Sequence, residues 1–574
     1  MPSPIAANPV VPRFGVAVAA LGQSGIVAAN PLWRSLGALL QPPPLRPART
    51  VCYQPLHFAH HRLPVWAALA RPEESRHWPQ IDQLSPATPA RLHALAFIPS
   101  RAPEFTRRAA HSFRLADTER DTLEQLLISH DIAELGHRLG VTRAGARKRA
   151  EALYRTIGTT SIAGLIATIS QLFTDEFISD HQQEPALQAV LGLSPAQASV
   201  ARLIAAGHSL PLVASRLRLS PHTVRDHARM AREKAEVSRL KDFAQVATEA
   251  AAVHSIVTGA DGLHHDRFGL LDATLILHRE GRQIALADFG PDHGRPLLVC
   301  HGGMATRGLG LHLRRALQAQ GFRPIGIDRP GFGLTDPSSS APQFAAAADD
   351  MAFALDTLNL PQAALLSLDT GAATALAFWQ SHGERMTIGA LMSPRPPARP
   401  RSGTRLADRF ARAAMQRPDV INSLWKQLRT RAGAAMALWL AERLFASHPL
   451  DAALLADPDF RAGLAAELLT CGARSGQGIS AELAAYQHWQ PAPGPPRAWT
   501  IILAEQDPLW APSLTDPAAR AAWHVLGQPD WHVLKGAGRF AITSHAEAIA
   551  AVLAAKCERP RTETQVSPNK SAAQ

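Results

Sequence analysis

Apolar and polar positions follow different rhythms along this chain. Near the N-terminus, Phe14 to Ala19 is an apolar run, Gly22 to Gly25 marks a turn, and Ile26 to Ala29 is a second run. These predict two strands and a tight connection, and Asn30-Pro31-Leu32-Trp33 predicts the opening of a helix. Leu92–Ile98 predicts a further strand. Residues 112–250 carry apolar positions at helical spacing among many Arg and Ala. From Leu271 to about Leu553, strand-like runs alternate with helical stretches, the order of an open α/β sheet. Residues 1–11, the Pro-rich run Gln41–Arg49 and the polar tail 557–574 predict loose segments, and 251–270, with its Gly and His, predicts a linker.

The helical region contains a repeat. "LADTERDTLEQLL" begins at Leu115 and "LSPAQASVARLIA" at Leu193; Leu139, Thr142 and Arg147 then fall opposite Leu217, Ser220 and Arg225 without a gap. In the second copy, Ser194 and Pro195 start one helix, Leu212–Arg218 forms a short second, and Ser220-Pro221 starts a third. That third helix presents Arg225, His227, Arg229, Arg232 and Lys234, a basic face of the size of a major groove. Residues near its start (Ser220, His222, Thr223, Arg225) are placed for base edges, and the later ones for phosphate.

The text "LSPAQASVARLIAAGHSLPLVASRLRLSPHTVRDHARMAREKAEV" resembles the DNA-binding domain of the LuxR family. Gln197 and its neighbours replace the acidic residue usual in the family's first helix. The first copy, Leu115–Thr168, resembles the same family, with Arg143, Arg147, Lys148 and Arg149 on its basic helix and Gly145 weakening that helix. The resemblance implies double-stranded DNA as partner, RNA polymerase as a candidate partner, and a homodimer on paired half-sites, with a monomer reading two sites as the alternative left by the repeat. Strand, turn, strand and "AANPLWRSL" resemble the opening of a PAS sensor domain.

Composition adds bounds. The chain has 574 residues, room for about three to five domains. Its hydrophobic fraction of 46% supports packed cores, and its net charge of +11 leans towards an anionic partner. Four scattered cysteines give no disulfide framework or zinc site and fit a reducing cytoplasm. No apolar run reaches the roughly 18 residues of a membrane helix, so no membrane association is expected. His57, His60 and His61 lack a complete ligand spacing and read as a polar loop; no metal or cofactor is expected.

Chemistry concentrates in the α/β region. Strand-like runs end in His301-Gly302-Gly303, in "DRPGFGLTD" from Asp328, and in Ser367-Leu368-Asp369-Thr370-Gly371. "TIILAEQDP" follows, carrying Asp507, then "HVLKGAGRF", carrying Arg539. These pieces, in this order, resemble α/β hydrolases. By that resemblance His301, Gly302 and Gly303 form the oxyanion loop, Asp369 stands at the nucleophile elbow, Asp507 is the acid, and Arg539 occupies the place of the catalytic His. Residues 398–495 take the place of a helical lid. An Asp nucleophile occurs in the dehalogenase and epoxide-hydrolase branches, but Arg stays protonated and is no general base. The lid offers only Tyr486 where epoxide hydrolases pair two tyrosines, and Thr370 stands where dehalogenases often place Trp. His545 and His301 hold positions with non-catalytic roles in the family.

The expected architecture is therefore multidomain: a PAS-like α+β module over 12–102, a first helix-turn-helix over 112–172, a second over 190–250, and an α/β-hydrolase fold with a helical lid over 271–556. The expected function is a cytoplasmic DNA-binding regulator whose degenerate hydrolase domain senses a small organic ligand at Asp369, Arg539 and the amides of Gly303 and Thr370. An active hydrolase with Asp369 as nucleophile, coupled to DNA-binding modules, is the alternative. An interaction protein whose basic helices serve as a partner surface is a third reading.

Overall fold

A computed structural model describes residues 16–40, 51–98, 101–174, 180–258, 270–395, 431–471, 477–509 and 517–558, less positions 23–24, 77, 79, 82–83, 85–88, 130, 304 and 340–341. The expectations for 1–11, for Gln41–Arg49, for 398–430 and for 559–574 fall outside the described residues.

The N-terminal strands β1 (Val16–Gly22), β2 (Gly25–Ala29), β3 (Cys52–Leu56), β4 (Val65–Ala70) and β5 (Leu92–Phe97) form an antiparallel sheet in the order β2-β1-β5-β4-β3. Helix α1 (Pro31–Ser35) follows β2, capped by the Asn30 side chain on the Trp33 amide. Trp33, Phe58 and Leu36 fill one face of the sheet.

Helix α2 (Pro103–Ser112) leads into two units of three helices each. The first comprises α3 (Asp117–Ser129), α4 (Ile132–Arg138) and α5 (Arg143–Ile157); α6 (Ile162–Thr174) and α7 (Asp180–Leu191) then connect it to the second, α8 (Pro195–Ala205), α9 (Leu210–Leu217) and α10 (Pro221–Lys234). Asp117, Ile132 and Arg143 open the helices of the first unit, and Pro195, Leu210 and Pro221 stand 78 positions later in each case. Side-chain caps explain these starts: Asp131, Thr142, Ser194 and Ser220 each accept a bond from a first-turn amide.

Helix α11 (Leu240–Thr258) differs from the sequence expectation of a linker from 251. Its C-terminal half carries Ala252, Val253, Ile256 and Val257, which bury against β1, β4, β5 and Trp78. The apolar face continues past 250 because it covers the second face of the N-terminal sheet while its first half packs on α7 and α8.

From 270 the chain builds an eight-stranded sheet. Its strands are β6 (Thr274–Arg279), β7 (Arg282–Asp288), β8 (Arg295–Cys300), β9 (Phe322–Ile327), β10 (Ala363–Leu368), β11 (Met386–Met392), β12 (Ala498–Ala504) and β13 (Asp530–Leu534). The order is β13-β12-β11-β10-β8-β9-β7-β6, with β13 through β9 parallel and β7 and β6 antiparallel at one edge. The central strands read as unbroken apolar runs because both faces are covered. One face holds residues of 343–357 and 372–382 with Trp379, Trp499 and Trp523; the other holds residues of 311–319 and 546–558. Between β11 and β12 lie α12 (Arg431–Phe445), α13 (Pro449–Ala456), α14 (Pro458–Thr470) and α15 (Gln477–His488). Among the described residues no helix is long and apolar enough to cross a membrane.

Candidate functional site

β10 ends at Leu368, and Asp369 turns the chain at φ +51°, a left-handed conformation costly for a residue with a Cβ. The turn is tight because Gly371 sits against the β8 end: a Cβ there would stand 2.6 Å from the Cys300 carbonyl oxygen. The helix 372–382 begins at once. Sequence and geometry thus set the Asp369 carboxylate at the C-terminal edge of the parallel sheet, beside Gly302 and Thr370.

Two other strand ends complete the arrangement. Asp507 follows β12, 1% exposed, and Arg539 follows β13. Arg539 Nη2 donates to Asp369 Oδ2 at 2.5 Å, and Nη1 donates to Asp507 Oδ2 at 3.2 Å. One guanidinium therefore spans Asp369 and Asp507. Burial works against the Arg539 charge, but the two carboxylates outweigh it and hold the guanidinium above its ordinary range. Among the described residues Asp369 Oδ1 is buried without a hydrogen-bond partner.

The lid adds residues that no motif announced. Asp451, fully buried in α13, accepts the backbone amides of Arg539 at 2.7 Å and Phe540 at 3.1 Å, and so fixes the loop that aims Arg539. Its one sequence signal is His448 three positions earlier, whose ring caps α13. Arg329, 2% exposed in the loop after β9, donates to the carbonyls of His301 at 2.8 Å and Gly302 at 3.0 Å. Its Nε lies 3.0 Å from the buried Glu482 carboxylate of α15. Burial raises the Glu482 pKa, and Arg329 opposes that rise.

Three histidines lie near this edge: His301, His545, and the buried His448 at the start of α13, whose Nδ1 accepts the Asp451 amide at 3.4 Å beside the Gly538 backbone. His301 Nδ1 lies 2.8 Å from the Gly302 carbonyl oxygen, and Nε2 accepts the Arg329 amide at 3.4 Å. Burial, then the Arg329 charge, pushes its pKa well below the ordinary histidine value, so the ring is neutral and structural. His545 pairs with Ser544 at 2.9 Å at the opening of the final helix. Gly303, in the loop after β8, is so close to Thr370 that a Cβ there would stand 3.0 Å from the hydroxyl oxygen.

The basic helices present a second candidate surface. On α10, His222, Arg225 and Arg229 are exposed, with Arg229 paired to Glu233 at 2.7 Å and His222 to Asp226 at 2.9 Å. Ser220 accepts the Thr223 amide at 3.0 Å. The far end departs from the expected phosphate-facing row. Lys234 donates to the Gly192 carbonyl at 2.6 Å and to Gln197 at 3.1 Å, and Arg232 is half-buried against the Ser238 carbonyl. His227 is half-buried. Gln197 also closes the capping box with Ser194 and, through Lys234, ties α10 to α8. On α5, Arg143, Lys148 and Arg149 are exposed, and Arg147 pairs with Glu151. No cluster among the described residues has the make-up of a metal site.

Residues 295–545 match the family model for the alpha/beta hydrolase fold. This part of the chain is an α/β-hydrolase-fold domain. The AB hydrolase superfamily protein YisY of Bacillus subtilis (strain 168) is 31% identical over 107 residues, 18% of this chain and 40% of that protein, so the match spans well under half of the curated relative. Among solved structures, a thermophilic esterase from Thermogutta terrifontis covers 50% of this chain and 97% of its own at 17% identity and a TM-score of 0.38. Epoxide Hydrolase A from Mycobacterium thermoresistibile covers 49% and 97% at 17% identity and a TM-score of 0.35.

Proposed function

We propose that the chain is a DNA-binding transcriptional regulator whose α/β-hydrolase-fold domain binds a small organic ligand instead of turning one over. The observation that carries this reading is Arg539 bridging Asp369 and Asp507. The position that would take a proton holds a permanent cation, and the nucleophile position is neutralised by it. His301 is held through both ring nitrogens, His448 accepts the Asp451 amide through Nδ1, and His545 is paired with Ser544 through Nδ1. What remains at this strand edge is a buried Asp369 oxygen without a hydrogen-bond partner among the described residues, which a donor on a ligand would satisfy.

The DNA-binding part rests on the LuxR resemblance, supported by a capped α10 with Arg225 and Arg229 exposed and by a second unit of matching layout with Arg143, Lys148 and Arg149 exposed. Residues 12–102 serve as a PAS-like module in this reading, supported by the strand, turn, strand and helix near its start. The partner is double-stranded DNA, bound as a homodimer. Footprinting on the DNA upstream of its own coding region, with and without a small-molecule extract, tests the reading. Protection that shifts with the extract is expected; absence of protection at every salt concentration refutes it. An active hydrolase is the second reading, favoured by the strained elbow at Asp369. Turnover, or an ester adduct on Asp369, would establish it.

A further inference from the structure

Among the segments that join the proposed ligand site to the helical region, the loop from Asp328 to Asp336 touches both the lid and the first helical core. At its start Arg329 holds the oxyanion loop through the His301 and Gly302 carbonyls and meets the lid at Glu482. In its middle the loop is stitched to the lid. Gly478 donates its amide to the Gly331 carbonyl at 3.2 Å, and Gly333 donates to the Cys471 carbonyl at 3.0 Å. The backbones touch so closely that a Cβ on Gly331 would stand 2.5 Å from the Gly478 amide nitrogen. Phe332 shares a small core with Cys471 and Ile479 of the lid region and packs edge-on to His301.

At its far end the loop is stitched to the sheet edge. Thr335 Oγ1 accepts the Ala285 amide at 2.9 Å, and Asp336 accepts the Gln283 amide at 2.8 Å. Leu334, 4% exposed, leaves the hydrolase core and joins, with Ile276 and Ala285, the core of the first three-helix unit, among Phe105, Phe113, Leu123 and Leu153. Asp328 braces the whole turn, accepting the Leu334 amide at 2.9 Å while pairing with the buried Arg307 at 2.9 Å.

We infer that this loop couples the state of the Asp369 site and its lid to the first basic helical unit, with Leu334 as the positioning residue that carries the coupling. The inference rests on the receptor reading above and deepens it by naming its route. A segment held at both ends by buried bonds transmits displacement instead of absorbing it, because packed interiors deform little. A lid that moves on ligand binding pulls Gly331 and Arg329, and the same short turn moves Leu334 inside the core that seats α3 and α5.

Hydrogen-exchange mass spectrometry on the full chain reads this with neither ligand nor DNA. Glu482→Gln removes the charge that meets Arg329 from the lid. Exchange is expected to rise several-fold in 328–336 and also in α2 and α3. In the Leu334→Ala background the same change should still loosen 328–336 but leave α2 and α3 as they are in Leu334→Ala alone, the comparison being a double-mutant cycle. Leu334→Met, which keeps the volume, should preserve the transmitted rise. Asp369→Asn is the parallel perturbation if Glu482→Gln does not fold. A loop response with no helix response, or a helix response undiminished by Leu334→Ala, overturns the inference. Gel shifts on the same proteins separate it from the function: coupled exchange in a chain that binds no DNA refutes the DNA-binding reading and leaves the coupling standing.

Discussion

At the scale of residues, the site is defined by what Arg539 does to its two neighbours. It lies across Asp369 and Asp507 as one cation for two carboxylates. Removing it leaves like charges facing each other in a partly buried pocket, so Arg539→Ala should lower stability by about 3 kcal/mol in urea denaturation at pH 7. The loss should shrink in Arg539→Ala, Asp369→Asn, where one of the stranded charges is gone. The three positions were legible in the sequence because each sits at a fixed offset from a strand end, in "SLDTG", "AEQDP" and "GAGRF". Asp451 and Glu482 were not, because lid residues reach the site from helices whose spacing to the sheet is unconstrained. Arg329 was in plain view in "DRPGFG", yet only its burial shows that it holds the oxyanion loop.

At the scale of elements, the basic side chains of α10 divide into exposed ones, paired at most within the helix, and ones at its end tied to neighbouring segments. Arg225 is exposed, whereas Lys234 is spent on Gly192 and Gln197. Arg225→Ala should therefore weaken DNA binding, with the slope of log K against log salt reduced by about one if its contact is to phosphate and unchanged if it is to a base edge, while Lys234→Ala should leave that slope unchanged and lower thermal stability. Anisotropy titrations across salt concentrations distinguish the two. Sequence pattern sets the later basic residues towards phosphate, because a helical wheel does not know which neighbour lies beyond its end. Helix α11 carries a second element-level prediction. Glu249 is buried between the N-terminal sheet and the second unit, and burial raises its pKa to about 8 despite the bond from Gln245. The folded chain thus holds a proton that the unfolded chain releases near the ordinary glutamate value. This contribution to stability is full at low pH and is lost as pH rises towards about 8. Glu249→Gln should flatten the decline, gaining on the order of 3 kcal/mol at pH 8 relative to pH 5, as read by denaturation at both pH values.

At the scale of the molecule, the modules do not have private cores. The N-terminal sheet closes on α11, and the β6–β7 edge of the hydrolase fold closes on the first three-helix unit through Ile276, Ala285 and Leu334. The Gly and His of 251–270 predict a linker, whereas α11 runs to Thr258, because its last apolar face is matched by a sheet far away in the chain, which local periodicity does not reveal. A chain beginning at residue 270 should accordingly fold with a melting temperature several degrees lower than the same domain in the full protein, with Leu334 exposed; calorimetry on both checks it. The central claim is that this hydrolase fold binds without turning over. Its most direct test is release of p-nitrophenol from p-nitrophenyl acetate, with intact mass of the protein, for the native chain and for Asp369→Ser, Arg539→His. The native chain should show background release and an unchanged mass, and the double variant should gain measurable turnover. Steady release by the native chain, abolished by Asp369→Asn, would contradict the account.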